Sequence, residues 1–140
     1  MLDATLSGYM VLRPDPQGLR AAREQMRRVA QGLHITSDDT DRLLIAVGEA
    51  ISNAYRHGST RRSTDVIRLS WNHDTEGIVV TIQDDGCGFR VDPTLCESEP
   101  SGKLARGIEL MRACADEVHL LSDGGAKVVL RKRVKLLPET

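Results

Sequence analysis

What most restricts the fold of this chain is the order in which two kinds of apolar periodicity follow one another. Stretches of period two come in neighbouring pairs, Val66–Trp71 with Ile78–Ile82 and Glu117–Leu121 with Lys127–Val134, and do not alternate one for one with helices. Successive strands pair antiparallel across turns, and the helices between the pairs must cover a common face. The expected architecture is an α/β two-layer sandwich of the α+β kind, with a mixed, mostly antiparallel sheet and helices on one face.

Tyr9–Arg13 lies between Gly8 and Pro14 and reads as a short first strand, ended by a proline that cannot donate to a ladder. Asp15 offers an N-cap and Pro16 a first-turn residue for a helix running to about Gln31. In it Leu19, Ala22, Met26, Val29 and Ala30 recur at helical spacing, Arg20, Arg23, Glu24, Arg27 and Arg28 point largely away, and Gly32 is the expected stop. Ser37, Asp38 and Asp39 supply cap and first-turn acids for a second helix, with an apolar stripe of Leu43, Val47, Ala50, Ile51 and Ala54 and an end near His57 and Gly58. Asn72–Gly77 reads as a long hairpin loop. Gly86–Ala105 lacks periodicity and is rich in Gly, Pro, Ser and acids, which predicts a long loop of the functional or mobile kind. Gly107–Ala113 reads as a short helix, and Asp123, Gly124 and Gly125 as the turn between the last two strands.

With 40% hydrophobic and 28% charged residues in 140, the chain has ordinary globular usage and enough length for one core, so it reads as a single domain over 1–140 with its core at 8–134. A formal net charge of −1 gives no general attraction to nucleic acid. The adjacent Arg61 and Arg62 offer the one local patch, and a solvated loop explains them better. Cys87, Cys96 and Cys114 are odd in number and widely spaced; they suit neither a disulfide framework nor a zinc site and read as reduced thiols. His34, His73 and His119 share no ligand spacing. No stretch approaches the roughly 18 apolar residues of a membrane span, and Met1–Met10 carries Asp3 without a basic segment, so a cytoplasmic protein is expected.

Three stretches hold residues suited to chemistry. Glu49, Asn53 and His57 are spaced by four and share one helix face, which a polar helix edge with a Glu to Asn hydrogen bond also produces. Asp84, Gly86 and Gly88 follow an apolar strand: glycines let the backbone approach a flat ligand and a strand-end carboxylate accepts from an amine, although a tight acidic turn has the same composition. Arg106 and Gly107 are expected to open a helix whose free N–H groups favour phosphate, and a plain helix start reads alike.

Taken in order, E-A-I-S-N-A-Y-R-H-G at Glu49–Gly58, D-D-G-C-G-F at Asp84–Phe89 and A-R-G-I-E-L-M-R at Ala105–Arg112 resemble the N, G1 and G2 boxes of histidine-kinase-like ATPases. R-L-L-I-A-V-G-E-A in the second helix and the closing D-E-V-H-L-L-S-D-G-G-A-K-V-V-L-R-K-R are similar to the bacterial anti-sigma-factor serine kinases, and the likeness covers about Gly8–Val134. It implies a Bergerat-type ATP-binding fold with ATP and Mg2+ as cofactors. By the same resemblance Asn53 supplies the side-chain oxygen that holds the magnesium ion, and Glu49 is the general base for an incoming serine or threonine hydroxyl. Asp84 reads the adenine amino group, with Gly86 and Gly88 around that pocket. Arg106 and Gly107 stand at the end of a lid over the phosphates, and Lys103 is a further phosphate contact. The implied protein partner is a small anti-sigma-factor antagonist, which competes unphosphorylated with a sigma factor for the kinase; relatives commonly pair as homodimers.

Two positions depart from the pattern. Ala105 stands where the third box begins with glycine, and Ala126 where a threonine follows Gly124 and Gly125, so weaker ATP binding is expected with base, metal ligand and adenine reader retained. The rival expectations are a nucleotide-binding regulatory module without phosphotransfer and the catalytic fragment of a sensor histidine kinase. Against the latter, no dimerisation helix bearing a phosphoacceptor histidine precedes the first helix.

Overall fold

A computed structural model describes residues 7–54, 66–84, 101–122 and 126–134, apart from the side chains of 101–105 and 122. In chain order its elements are β1 (Ser7–Leu12), α1 (Pro16–Gly32), α2 (Ser37–Asn53), β2 (Ile67–Asp74), β3 (Gly77–Asp84), α3 (Ser101–Cys114), β4 (Glu117–Ser122) and β5 (Ala126–Arg133). The strands form one five-stranded sheet in the order β1-β2-β3-β5-β4, and all four ladders are antiparallel.

Strand alternation assigns the two faces. Across the ladders Met10, Leu69, Ile82 and Val128 form one row, and Gly8, Trp71, Val80 and Leu130 the next. Both rows face the buried side, where α1 contributes Ala22, Met26, Val29 and Ala30, α2 contributes Leu43, Val47, Ala50 and Ile51, and α3 contributes Met111. Each fully buried Leu, Ile or Met side chain there stabilises the fold by about 1.5–3 kcal/mol. The opposite sheet face is solvated, with Tyr9, Val11, Arg68 and Asn72 exposed. This is the expected two-layer sandwich with its helices on one side.

Local chemistry shifts several expected boundaries. Asp15 caps α1 as foreseen, its Oδ1 accepting from the Gly18 N–H at 2.8 Å. The helix ends at Gly32, its last helical residue, and the chain turns at His34, whose φ is 58°. The cap of α2 is Thr36 and not Ser37, because Thr36 Oγ1 accepts from the Asp39 N–H at 3.2 Å. The long loop expected at Asn72–Gly77 is instead a tight turn. Asp74 Oδ1 accepts from the N–H groups of Glu76 and Gly77 at 2.9 and 3.1 Å, and Gly77 adopts φ 144°, so β2 and β3 pair out to Asp74 and Gly77. Gly8 allows β1 to lie against the indole of Trp71; a Cβ there would sit 2.7 Å from Trp71 Cζ2.

Candidate functional site

Residues of α2 and α3 build the first half of the site. The helical stripe that buries Leu43, Val47 and Ala50 brings Glu49 and Asn53, one turn apart, to the flank facing α3. Asn53 is 3% exposed and Glu49 half-buried. Gly107 of α3 lies directly against them: a Cβ at that position would meet Glu49 Oε1 and Asn53 Nδ2 at 3.1 Å and Asn53 Oδ1 at 3.3 Å. The absence of a side chain there is what lets a carboxylate, an amide and a helix backbone converge.

One expectation is corrected at this point. α3 starts at Ser101, so Arg106 and Gly107 lie inside the helix and not at its opening, where their N–H groups would be free. The helical stretch 101–105 belongs to what the sequence suggested was loop; its glycine and serine conceal a turn that Leu104, Ile108 and Met111 extend at helical spacing. Arg106 is exposed on α3.

The second half is the end of β3. Asp84 is 2% exposed, and its Oδ1 accepts from the Ala126 N–H at 3.2 Å. A buried carboxylate is costly unless hydrogen bonds meet it, and this amide orients it across the β3–β5 ladder. Ala126 is itself buried and brings a backbone donor but no hydroxyl. Gly86, Cys87 and Gly88 lie outside the described residues, as do His57, Cys96, Arg61, Arg62, the 123–125 turn and the side chains of Lys103 and Ala105. The structure thus joins Glu49, Asn53 and Gly107, and places Asp84 with Ala126 at the strand end.

Among the described residues, several ionic contacts gather at the opposite end of β3. Arg131 donates through Nη1 and Nη2 to Asp74 at 3.2 and 2.9 Å, and this hydrogen bonding, helped by the Glu76 N–H, holds the Asp74 carboxyl down to about 2. Glu117, bonded by His119 and beside Arg133, is likewise lowered. Lys132, 7% exposed on the helix-facing side of β5, lies 3.6 Å from Asp39 and 3.9 Å from Asp116. Sequence reasoning passed over Lys132, although the alternation of Ala126, Val128 and Leu130 already placed it on the buried face.

The sequence and the fold have counterparts among known proteins. The chain is 26% identical to the serine-protein kinase RsbW of Bacillus velezensis over 88% of its length and 82% of that protein, and 22% identical to the anti-sigma F factor of Clostridium novyi over 83% and 90%. Among solved structures it is similar to the RsbU and RsbW domains of a Mycobacterium tuberculosis protein, with TM-score 0.70 and 18% identity, covering 91% of this chain but only 32% of that one. It also resembles the histidine kinase domain of a blue-light activated histidine kinase from Erythrobacter litoralis, with TM-score 0.53 and 18% identity over 77% of this chain and 58% of that one. Among the described residues no helix is long and apolar enough to cross a membrane. Residues 12–132 match the model of the histidine kinase-like ATPase domain, and the chain belongs to that family.

Proposed function

We propose that this single domain binds Mg-ATP between the end of β3 and the α2–α3 pair and phosphorylates a serine or threonine of a small protein, an anti-sigma-factor antagonist, in a partner-switching system of the cytoplasm. The observation that carries this is the convergence of Glu49, Asn53 and the bare backbone of Gly107 within 3.1–3.3 Å of one point. An amide oxygen and a carboxylate on one helix face, against a helix that presents only backbone at Gly107, suit a metal-bound polyphosphate. Mg2+, when bound, would neutralise phosphate charge; the Asn53 amide oxygen, a hard ligand, is the group that would hold it.

Each residue then has a task within its reach. Asp84, fixed by the Ala126 amide, accepts from the adenine amino group, with Gly86 and Gly88 as the adjoining pocket backbone. Glu49 takes the proton as the acceptor hydroxyl oxygen bonds to the γ-phosphorus and the bond to the β-phosphate oxygen breaks, releasing ADP. Arg106 and Lys103 supply positive charge beside the phosphates. The protein substrate docks along α1, where Pro16, Leu19, Arg20, Arg23, Glu24 and Arg27 line a groove of about 420 Å³. Arg23 reaches to 3.8 Å from where a Cβ on Gly48 would lie, which brings the groove beside α2. A sigma factor competing for that surface completes the switch.

Ala126 favours a second reading, a regulatory module that holds nucleotide without transferring phosphate, because it gives Asp84 a donor but leaves the pocket without a hydroxyl. Labelled ATP and a candidate antagonist separate the two: the kinase labels the antagonist, the module does not. Glu49→Gln should then slow transfer by roughly 10²-fold or more while ATP affinity holds. Equal loss of binding and transfer would remove Glu49 from the role of base.

A further inference from the structure

β5 meets the candidate site at one end and the helices at the other. At Ala126 its backbone holds Asp84. Six residues on, about 20 Å along a strand, Lys132 emerges on the same buried face. Its ammonium lies between two carboxylates: Asp39 in the first turn of α2, at 3.6 Å, and Asp116 just beyond the end of α3, at 3.9 Å. Neither the lysine nor Asp116 is free to drift. The Arg133 N–H donates to Asp116 Oδ2 at 2.6 Å, and the Asp116 N–H donates to the Arg131 carbonyl at 2.8 Å. The Lys132 carbonyl abuts Gly77, where an added Cβ would be 2.1 Å away.

From this geometry we infer that Lys132 is a positioning residue, a remote clamp that sets the axial position of α2 and α3 against β5 and so holds Glu49, Asn53 and Gly107 in register with Asp84. α2 is rigid, and Asp39 precedes Glu49 by ten residues, about 15 Å of helix, so displacement at the clamp carries to the site. Gly107 lies nine residues before Asp116 along α3 and the turn that follows it. The two helices bound at Lys132 are therefore the two that meet at Gly107. Only bare backbone fits between them, since a Cβ at Gly107 would lie 3.1 Å from both Glu49 Oε1 and Asn53 Nδ2. The bearing of the clamp on ATP rests on the function proposed above; the clamp itself does not.

Hydrogen exchange of the full chain, read by mass spectrometry, tests it. Lys132→Met should raise exchange at 49–54 and 106–114 by about tenfold or more, with strand segment 67–84 unchanged, and Lys132→Arg should return it to within about twofold of the parent. Asp39→Asn should reproduce the rise at 49–54. No rise in the helices, or an equal rise in helices and strands, would overturn the clamp and leave Lys132 a general stabiliser. Should Lys132→Met fail to fold, Asp39→Asn and Asp116→Asn alter only partly exposed carboxylates and carry the same comparison. Added ATP with magnesium separates the two ideas: helix-selective exchange without any ATP effect on the parent supports the clamp and removes the nucleotide site.

Discussion

Gly107→Ala sets two effects of known size against each other. Alanine inside α3 gains about 0.5–1 kcal/mol over glycine from the reduced entropy of the unfolded chain. Its methyl would meet Glu49 Oε1 and Asn53 Nδ2 at 3.1 Å and Asn53 Oδ1 at 3.3 Å, closer than the roughly 3.5–4.0 Å of relaxed contacts. Overpacking of that order costs about 1–3 kcal/mol. The half-buried Glu49 can swing aside and the buried Asn53 cannot, so the strain falls on the amide. The net loss of stability is then about 0–2.5 kcal/mol, and at roughly 2–4 °C per kcal/mol the melting temperature falls by no more than about 10 °C. ATP affinity should suffer more. A displaced Asn53 no longer offers its oxygen where the metal would sit, and a loss of tenfold or more, about 1.4 kcal/mol, is expected. Scanning calorimetry and titration calorimetry with Mg-ATP measure the two quantities on one sample. Unchanged affinity would refute the placement of phosphates beside Gly107, and a stability loss above about 4 kcal/mol would mark the contact as core packing.

Asp84→Asn should weaken ATP binding by about 1–3 kcal/mol, since an amide in place of the carboxylate mispairs a buried group; titration calorimetry showing parent affinity would end its role as adenine reader. Gly77→Ala should cost about 3 kcal/mol or more, because φ is 144° and the new Cβ would meet the Lys132 carbonyl at 2.1 Å. A urea midpoint equal to the parent's would contradict the β3–β5 register. Asp74, held at about 2 against an ordinary 3.8, binds fewer protons folded than unfolded, so its contribution is complete above about pH 4 and fades as the pH falls toward 2. Asp74→Ala should therefore flatten the acid limb of stability in that window, and parallel limbs in the two proteins would speak against the Arg131 bond as its source.

Much of the fold was legible because burial is one-sided. The stripe of Met26, Val29 and Ala30, the stripe of Leu43, Val47 and Ala50, and the alternation from Leu69 to Leu130 each carry their own period, and all point to one interior. Glu49, Asn53 and Asp84 were singled out by the order of three boxes resembling the family and not by periodicity alone, and the structure finds Asn53 and Asp84 buried. Elements decided by side chain to backbone bonds were misread. Asp74 tightens the hairpin connection that composition alone suggested was long, and Thr36 takes the cap expected of Ser37. The start of α3 escaped for a different reason, since Ser101 and Gly102 are weak helix formers by propensity yet lie in the helix. Lys132 went unnoticed because its role depends on Asp39 and Asp116, which are distant in sequence.

Trp71 is the chain's single tryptophan, and its indole lies beneath β1 at Gly8, on the two-strand margin of the sheet. Its light emission therefore watches one event above all, the peeling of the first strand from the second. A red shift that precedes loss of helical dichroism on heating would identify that margin as the first part of the molecule to come undone.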